Sequence, residues 1–165
     1  MRRPFPPAPL GVGTRRLLTY GLAGAVVGVD QLSKAWALQA LASGPRPFLP
    51  GLLELSLTFN TGAAFSLFSG GGAVLGLVSL AVIVAAVFWL QRQASLPLVR
   101  VLGAGFLLGG AAGNGLDRWR SGAVVDFLAL VPIDFPVFNL ADVAINLAVL
   151  CIAIEMLWGQ RREGS

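Results

Sequence analysis

Two aspartates, Asp126 and Asp142, carry the clearest chemical signal in this sequence, because each lies in or beside a stretch apolar enough to be embedded in a membrane. A carboxylate at that depth is costly and indicates a functional site. The two stand in V-V-D-F (124–127) and F-N-L-A-D (138–142), and the link between them contains Pro132 and Pro136. A helical turnaround over this link is expected to bring the carboxylates together. Two facing carboxylates indicate an aspartic hydrolase.

The composition argues against several other kinds of active site. The chain has no histidine, so a serine or cysteine nucleophile lacks its usual base and zinc lacks its usual ligands. Its one cysteine, Cys151, lies in A-V-L-C-I-A-I, which is typical of buried apolar packing. We therefore expect no metal and no organic cofactor. Although the pI is near 10.6, the arginines form no stripe with interleaved aromatic residues, so we expect no nucleic-acid partner.

The elements that must position these carboxylates are membrane spans. Hydrophobic residues make up 56% and charged residues 12% of the chain, against roughly 25% charged residues in soluble domains. Apolar segments at about residues 17–41, 73–90, 96–116 and 137–158 predict a membrane all-α fold, a four-transmembrane-helix bundle. No polar linker divides them, so residues 1–165 are predicted to form a single integral membrane domain.

Basic residues predict the orientation of this bundle. Most of them flank one side of the spans: Arg2, Arg3, Arg15, Arg16, Arg92, Arg100, Arg161 and Arg162. The positive-inside rule then predicts that both termini are cytoplasmic and that the carboxylates lie on the extracytoplasmic side. The first arginines and the apolar run after them resemble a signal peptide. Because the run continues into a full span, we expect a retained helix.

Two outer segments remain, residues 42–72 and 117–136. Within the first, L-L-E-L-S-L-T-F (52–59) alternates apolar and polar residues, which predicts a strand of a small extracytoplasmic β-sheet. The following A-A-F-S-L-F (63–68) is short and apolar and predicts a short surface helix.

The third span carries three glycines at four-residue spacing, Gly105, Gly109 and Gly113. This spacing places small residues on one helix face, where a neighbouring backbone can approach closely. We interpret the face as a packing surface.

Further polar residues lie on the predicted helices. Asn139, Asp142 and Asn146 fall at i, i+3 and i+7, which predicts one polar face toward the bundle interior. Such a face either binds helices together or forms a site, and its aspartate favours a site. Asp30 and Lys34 stand four apart in the order that favours a helical ion pair, which predicts a structural salt bridge more than direct catalysis.

Two other motifs add candidate residues. The third span ends in G-N-G-L-D-R (113–118), where we expect Asn114 to line the site. Asp117 and Arg118 are expected to pair and to shape the outer loop. N-T-G-A-A-F (60–65) offers Asn60 and the flexible Gly62, although N-T-G is also typical of an ordinary turn.

Five segments in this order resemble the lipoprotein signal peptidase family, the type II signal peptidases. They are D-Q-L-S-K (30–34), N-T-G-A-A-F (60–65), G-G-A-A-G-N-G-L-D-R (109–118), G-A-V-V-D-F (122–127) and F-N-L-A-D-V-A-I (138–145). Each motif alone is weak, but five in order across four spans are specific. The resemblance covers roughly residues 17–157.

The resemblance implies an aspartic endopeptidase that removes the signal peptide from prolipoproteins carrying a diacylglyceryl cysteine, at the outer face of the bacterial cell inner membrane. Membrane lipid is its other partner, and no cofactor is implied. By motif, Asp126 and Asp142 are the catalytic pair. Substrate-binding or site-supporting roles are implied for Asp30, Lys34, Asn60, Gly62, Asn114, Arg118, Asn139 and Ala141. The family fold has four transmembrane helices, a small extracytoplasmic sheet and a surface helix.

The residues themselves suit this chemistry, because two neighbouring carboxylates do not both ionise easily: one keeps a proton while the other activates a water. Two other functions stay open on the residues alone. A small ion or proton-coupled transporter would use Asp30, Lys34 and Asp142 as a relay, and it predicts ionisable groups spread through the membrane depth. A noncatalytic membrane assembly factor would tolerate conservative replacement of either dyad aspartate.

Overall fold

The computed structural model describes residues 9–62 and 71–163, the last six of them by backbone only. Within these ranges the chain forms long helices joined by short strands. The helices are α1 (Val12–Ala40), α2 (Gly72–Arg92), α3 (Leu98–Ser121) and α4 (Leu140–Glu163). The strands are β1 (Leu10–Gly11), β2 (Arg46–Leu49), β3 (Leu53–Asn60), β4 (Ser95–Leu96) and β5 (Val124–Leu130).

Two of the helices are long and apolar enough to cross a membrane, α2 over Gly72–Arg92 and α4 over Leu140–Leu157. Their outward faces are apolar, since Leu77, Val84 and Leu150 are each more than half exposed. Such a surface suits lipid rather than water. Over the described ranges the fold is therefore mostly helical, with two candidate membrane-crossing helices and two small sheets.

Helix α3 contacts each of the other three helices. The predicted glycine face is confirmed, because a Cβ atom at Gly105, Gly109 or Gly113 would collide with α1. At Gly109 the added atom would lie 2.6 Å from Val26, and at Gly113 it would lie 2.6 Å from the Asp30 carboxylate. Glycine thus lets α1 and α3 approach closely and makes room for a carboxylate between them.

The three-stranded sheet has the antiparallel order β2-β3-β5 and packs on the C-terminal end of α1 through Leu55 and Phe127. The strand predicted at 52–59 is confirmed as β3. Its burial does not follow the expected alternation, because the pairing of β3 with β5 shifts register between Leu55 and Thr58. A bulge of this kind leaves an extra residue on one strand and interrupts the period of two.

The link between β5 and α4 is not the helical turnaround expected from the sequence. Residues 131–139 run back beside β5, with Phe138 N–H donating to Leu128 O at 3.0 Å and Leu128 N–H donating to Phe138 O at 2.9 Å. The last helix begins at Leu140, later than the predicted start of the fourth span, because Asn139 caps its first turn.

Other boundaries also differ from the predicted spans. Helix α1 begins at Val12, and α3 continues to Ser121, so the G-N-G-L-D-R segment is helical rather than part of an outer loop. Helix α3 is followed by Gly122, whose φ of 75° is a conformation that favours glycine at a helix C-terminus. The surface helix predicted at 63–68 lies outside the described residues.

The helix ends opposite the three-stranded sheet are joined by polar contacts. The buried Arg15 of α1 donates to the carbonyls of Leu90 and Gln93 at the end of α2. Arg100 of α3 pairs with Glu155 of α4. Arg15 and Arg100, two of the arginines from which the orientation is predicted, therefore also hold the helix ends together.

We predict that Gly109→Ala destabilises the protein by about 1–3 kcal/mol, because the added methyl overpacks the α1–α3 contact. The matched control is Gly28→Ala in α1, where an added Cβ meets nothing within 4 Å and should be neutral or slightly stabilising. Thermal unfolding in detergent measures both. Equal melting temperatures for the two variants would contradict the close contact.

Candidate active site

Asp126 lies in β5, is 2% exposed, and has both carboxylate oxygens hydrogen-bonded. Asn139 Nδ2 donates to its Oδ1 at 2.6 Å, and Asn60 Nδ2 donates to its Oδ2 at 3.1 Å. Asn60 reaches the carboxylate because it faces Val124 in the β3–β5 register, which makes it the diagonal neighbour of Asp126. Diagonal neighbours on an antiparallel pair lie on the same face of the sheet.

Asp142 lies in the first turn of α4. Its N–H donates to Asn139 Oδ1 at 3.0 Å, and the N–H of Asn139 donates back to Asp142 Oδ2 at 3.1 Å. This reciprocal arrangement is a capping box, in which two residues three apart satisfy each other's backbone donors. Asn114 Nδ2 donates to the remaining oxygen, Oδ1, at 2.7 Å. The carboxylate is thus fixed at the positive end of the helix dipole.

Asn139 joins the two carboxylates, because its side chain donates to Asp126 and its backbone N–H donates to Asp142. All four carboxylate oxygens accept N–H bonds. Within the described ranges, no group of three or more His, Cys, Asp or Glu residues is placed to hold a metal ion. Both carboxylates of the pair are held in place by N–H donors of asparagine residues.

Burial, and next the charge of Asp142, raise the pKa of Asp126 from 3.8 to about 6. The hydrogen bonds from Asn60 and Asn139 and the charge of Lys34 oppose this rise in pKa. Asp126 therefore holds a proton at pH values where an isolated aspartate has lost it. Two carboxyl groups in this situation can share one proton and divide the roles of acid and base.

A cavity of about 620 Å³ opens onto both carboxylates. Its polar wall is formed by Asn60, Asn114, Arg118, Asp126, Asp142 and Asn146. Its apolar wall comes from β5, the β5–α4 link and α4, with Val124, Leu130, Phe135, Pro136, Val137, Phe138, Val143, Ile145, Leu147 and Leu150. Asn146, expected to face the bundle interior, is exposed and lines this cavity. The arrangement places two carboxylates beside a space that suits an apolar chain.

Behind Asn114 lies a buried ion cluster centred on Lys34. Lys34 Nζ is 2.9 Å from Asp30 Oδ2 and 2.7 Å from Asp117 Oδ2, and it donates to Asn114 Oδ1 at 3.0 Å. The ion pair predicted between Asp30 and Lys34 is therefore confirmed. Since these two residues are 0% and 2% exposed, water screens their interaction little.

Asp117 and Arg118 do not pair with each other, so that expectation was wrong. Asp117 is buried in α3, where it pairs with Lys34 and accepts from Val125 N–H at 3.3 Å. Arg118 donates instead to Gly62 O at 3.1 Å. Adjacent helical residues point about 100° apart around the axis, so these two side chains reach different neighbours.

The remaining predicted residues act through backbone groups. Gly62 N–H donates to Asn60 Oδ1 at 2.9 Å, which links Arg118 through Gly62 and Asn60 to the dyad. Ala141 N–H donates to Asp30 Oδ1 at 3.0 Å, which ties α4 to α1. The structure therefore brings all the sequence-predicted site residues into one hydrogen-bonded cluster.

Sequence reasoning missed Gln31, which donates to Asp117 Oδ1 at 2.9 Å and accepts from Arg120 Nη1 at 2.8 Å. Its position inside D-Q-L-S-K was the available signal. A glutamine does not ionise and is common on helix surfaces, so its type alone did not mark it as a site residue. Its hydrogen-bond partners, Asp117 and Arg120, are distant in sequence, and the motif therefore did not reveal the contact.

Comparisons with known proteins agree on one family. A family model described as "Signal peptidase (SPase) II" matches residues 22–158. The lipoprotein signal peptidase of Parasynechococcus marenigrum is 53% identical over 148 residues, which cover 89% of this chain and 92% of the relative. The lipoprotein signal peptidase of a Synechococcus species is 52% identical over 147 residues, which cover 88% of this chain and 97% of the relative.

Solved structures of two bacterial membrane enzymes, both obtained by the in meso method, have similar folds. The one at 2.3 Å resolution has a TM-score of 0.80 and 29% identity and covers 90% of both chains. The one at 1.9 Å resolution has a TM-score of 0.73 and 30% identity and covers 88% of this chain and 93% of the other. With the family model matched over most of its length, the chain belongs to the signal peptidase II family, a family of aspartic peptidases.

Proposed function

We propose that this signal peptidase II removes signal peptides from diacylglyceryl-modified prolipoproteins, with Asp126 and Asp142 as its catalytic pair. One observation carries the assignment of the pair: Asn139 donates to both carboxylates, and both line one cavity. The other buried carboxylates, Asp30 and Asp117, each form an ion pair with Lys34. The dyad is therefore the pair that is free to act on a substrate.

The proposed reaction uses one proton shared between the two carboxyl groups. The ionised group takes a proton from a water, and that water attacks the scissile carbonyl. The protonated group donates its proton to the carbonyl oxygen as that oxygen becomes negative. When the C–N bond breaks, the carboxyl group that took the proton from water gives it to the leaving amine, and the other carboxyl group recovers its proton from the hydroxyl of the intermediate. The pair titrates as a unit, so the proton is assigned to the dyad and not to one residue. These steps require no metal and no organic cofactor.

The shape of the cavity supports a lipid-modified substrate. The carboxylates lie at its polar wall, and the apolar wall continues along α4 through Leu147 and Leu150. Residues 142 and 150 are separated by about 12 Å along a helix at ~1.5 Å per residue. A cysteine carrying diacylglycerol would place its acyl chains along this wall, in contact with membrane lipid, while the peptide bond lies at the dyad.

We assign supporting roles to the residues that hold the dyad. Arg118, Gly62 and Asn60 hold Asp126 from the β3 side, and Arg118 also lines the cavity, where it can contact substrate. Asn139 caps α4 and joins the carboxylates. Asp142 is supported from α1 and α3 by Asp30, Lys34 and Asn114, and Asp30 acts through the backbone N–H of Ala141 in α4.

We infer that all four helices span the bacterial inner membrane as a single integral domain. Helices α1 and α3 are at least as long as α2 and α4, and α3 packs against the other three helices. Arg16, Arg92 and Arg100 lie at the helix ends opposite the dyad, which supports a cytoplasmic location for those ends. The dyad would then lie at the extracytoplasmic face.

The transporter alternative is not favoured. It needs ionisable groups through the depth of the membrane, whereas the buried carboxylates of the described ranges cluster around the dyad. Glu155, an acidic residue near the other end, is paired with Arg100.

The direct test of this function is cleavage of a diacylglyceryl-modified prolipoprotein by the purified protein. Asp126→Asn and Asp142→Asn should each reduce turnover by at least about 10³-fold while the protein stays folded, because an amide can neither act as base nor share the proton. Asp134→Asn, at an exposed position of the β5–α4 link, is the control and should keep wild-type activity. Wild-type turnover in either dyad variant would refute the assignment.

The pH dependence of cleavage should be bell-shaped. Activity is lost at low pH when both carboxyl groups are protonated, and at high pH when the shared proton leaves. Because the pKa of Asp126 is raised to about 6, the alkaline limb of kcat/KM should begin near that pH. Bound substrate excludes water and should move the alkaline limb of kcat higher. A kcat/KM that is constant from acid to alkaline pH would contradict a shared proton.

Membrane orientation can be measured with single cysteines in a Cys151→Ala background. Thr58 is exposed and stands opposite Asp126 in the sheet, and Thr14 is exposed near the start of α1. A membrane-impermeant maleimide should label Thr58→Cys in intact spheroplasts, and Thr14→Cys only after permeabilisation. The reverse pattern would overturn the proposed orientation.

A further inference from the structure

Three asparagine side chains contact the dyad, and each presents an N–H group to it. A carboxamide has a donor end and an acceptor end, so its orientation depends on its neighbours. Asn60 and Asn139 are each oriented by a backbone N–H, that of Gly62 and that of Asp142, which donates to the amide oxygen. Their nitrogens therefore face the carboxylates.

Asn114 is oriented by a cation. Lys34 Nζ donates to Asn114 Oδ1 at 3.0 Å, and Asn114 Nδ2 donates to Asp142 Oδ1 at 2.7 Å. Asn139 Nδ2 gives the same oxygen a second, uncharged donor at 3.0 Å. Because an ammonium has three donors and no acceptor, only the oxygen of Asn114 can face Lys34. If the amide of Asn114 were reversed, its NH₂ group would face the Lys34 ammonium and its oxygen would face the Asp142 carboxylate, and both contacts would be repulsive.

We propose that Lys34 is a positioning residue that acts on Asp142 through Asn114, by holding and polarising the carboxamide whose N–H supports the ionised carboxylate. Successive hydrogen bonds in a buried site polarise one another, so the charge on one side of Asn114 strengthens the bond on its other side. A hydrogen bond to the ionised form of a carboxyl group favours that form. Lys34 thereby helps the dyad keep one carboxylate as base, a role that rests on the proposed function.

A purely structural role for Lys34 can be separated from this one by means of Gln31. Gln31 Nε2 donates to Asp117 Oδ1 at 2.9 Å and to Asp30 Oδ2 at 3.3 Å, the same two carboxylates that pair with Lys34. Within the described ranges it makes no hydrogen bond to Asn114. Gln31→Met is therefore a matched control, because it disturbs the ion cluster and leaves the contact with Asn114 in place.

Charged or ionisable groups surround Asn114 on every element packed against it, and they contribute to the electrostatics of the dyad. They are Asp30 and Lys34 of α1, Asp117 and Arg118 of α3, Asp126 of β5 and Asp142 of α4. Removing Lys34 also removes a positive charge that acts on the dyad through space. The experiment must therefore distinguish the route through Asn114 from this direct effect.

A double-mutant cycle with Lys34→Met and Asn114→Ala makes that distinction. The ligand is a diacylglyceryl peptide whose scissile amide is replaced by a non-hydrolysable isostere, so variants without turnover can also be measured. The observable is the acid-side pH midpoint of its binding, where the dyad gains or loses its carboxylate. Lys34→Met should raise the midpoint by about one pH unit, a tenfold change in proton affinity. In the Asn114→Ala background the same substitution should raise it by less than about a third as much.

Gln31→Met should lower the melting temperature without moving the pH midpoint. The proposal is overturned if Lys34→Met leaves the midpoint unchanged, if Asn114→Ala does not diminish its shift, or if Gln31→Met produces the same shift. If Lys34→Met does not fold, the double variant Lys34→Met/Asp117→Asn takes the place of Lys34→Met in the cycle, because it keeps the net charge of the ion cluster. Wild-type protein that neither binds the isostere nor cleaves prolipoprotein refutes the proposed function instead.

Discussion

The arrangement of the site depends on the contacts that the buried ammonium of Lys34 makes with Asp30, Asp117 and Asn114. The ammonium neutralises one of the two negative charges that Asp30 and Asp117 place between α1 and α3, and it also holds Asn114 toward the dyad. A carboxylate left alone in such a place is strongly disfavoured, and breaking a buried ion pair typically costs about 3–5 kcal/mol. The helix contacts and the site are therefore stabilised by the same group.

The rest of the fold brings the dyad to this cluster. Glycines on α3 let α1 approach closely enough for Asp30 to reach the backbone of Ala141, which fixes the start of α4. Asp117 also accepts from Val125 N–H, which fixes the start of β5 one residue before Asp126. The two dyad residues come from different kinds of element, and each element is attached to the ion cluster by a backbone N–H. This attachment gives both carboxylates a rigid support.

Local signals in the sequence predicted much of this arrangement, and contacts between distant residues limited the rest. The apolar runs and the charges within them are local, so the helices, the glycine face and the Asp30–Lys34 pair were predicted. The partner of Asp117 was not, because it depends on which neighbour a helix face meets. The position of Asn60 beside Asp126 depends on a strand register with a bulge. The capping box in N-L-A-D was a local signal that the prediction of the fourth span overlooked.

The central claim is that Asp126 and Asp142 share one proton, and an infrared titration of protein with ¹³C-labelled aspartate measures this directly. Burial, and next the charge of Asp142, raise the pKa of Asp126 to about 6, so a protonated-carboxyl band should persist to about that pH in the wild type. In Asp142→Asn the repulsion is gone, and the band should disappear at a clearly lower pH. A band that titrates identically in the two proteins would contradict a shared proton and the dyad with it.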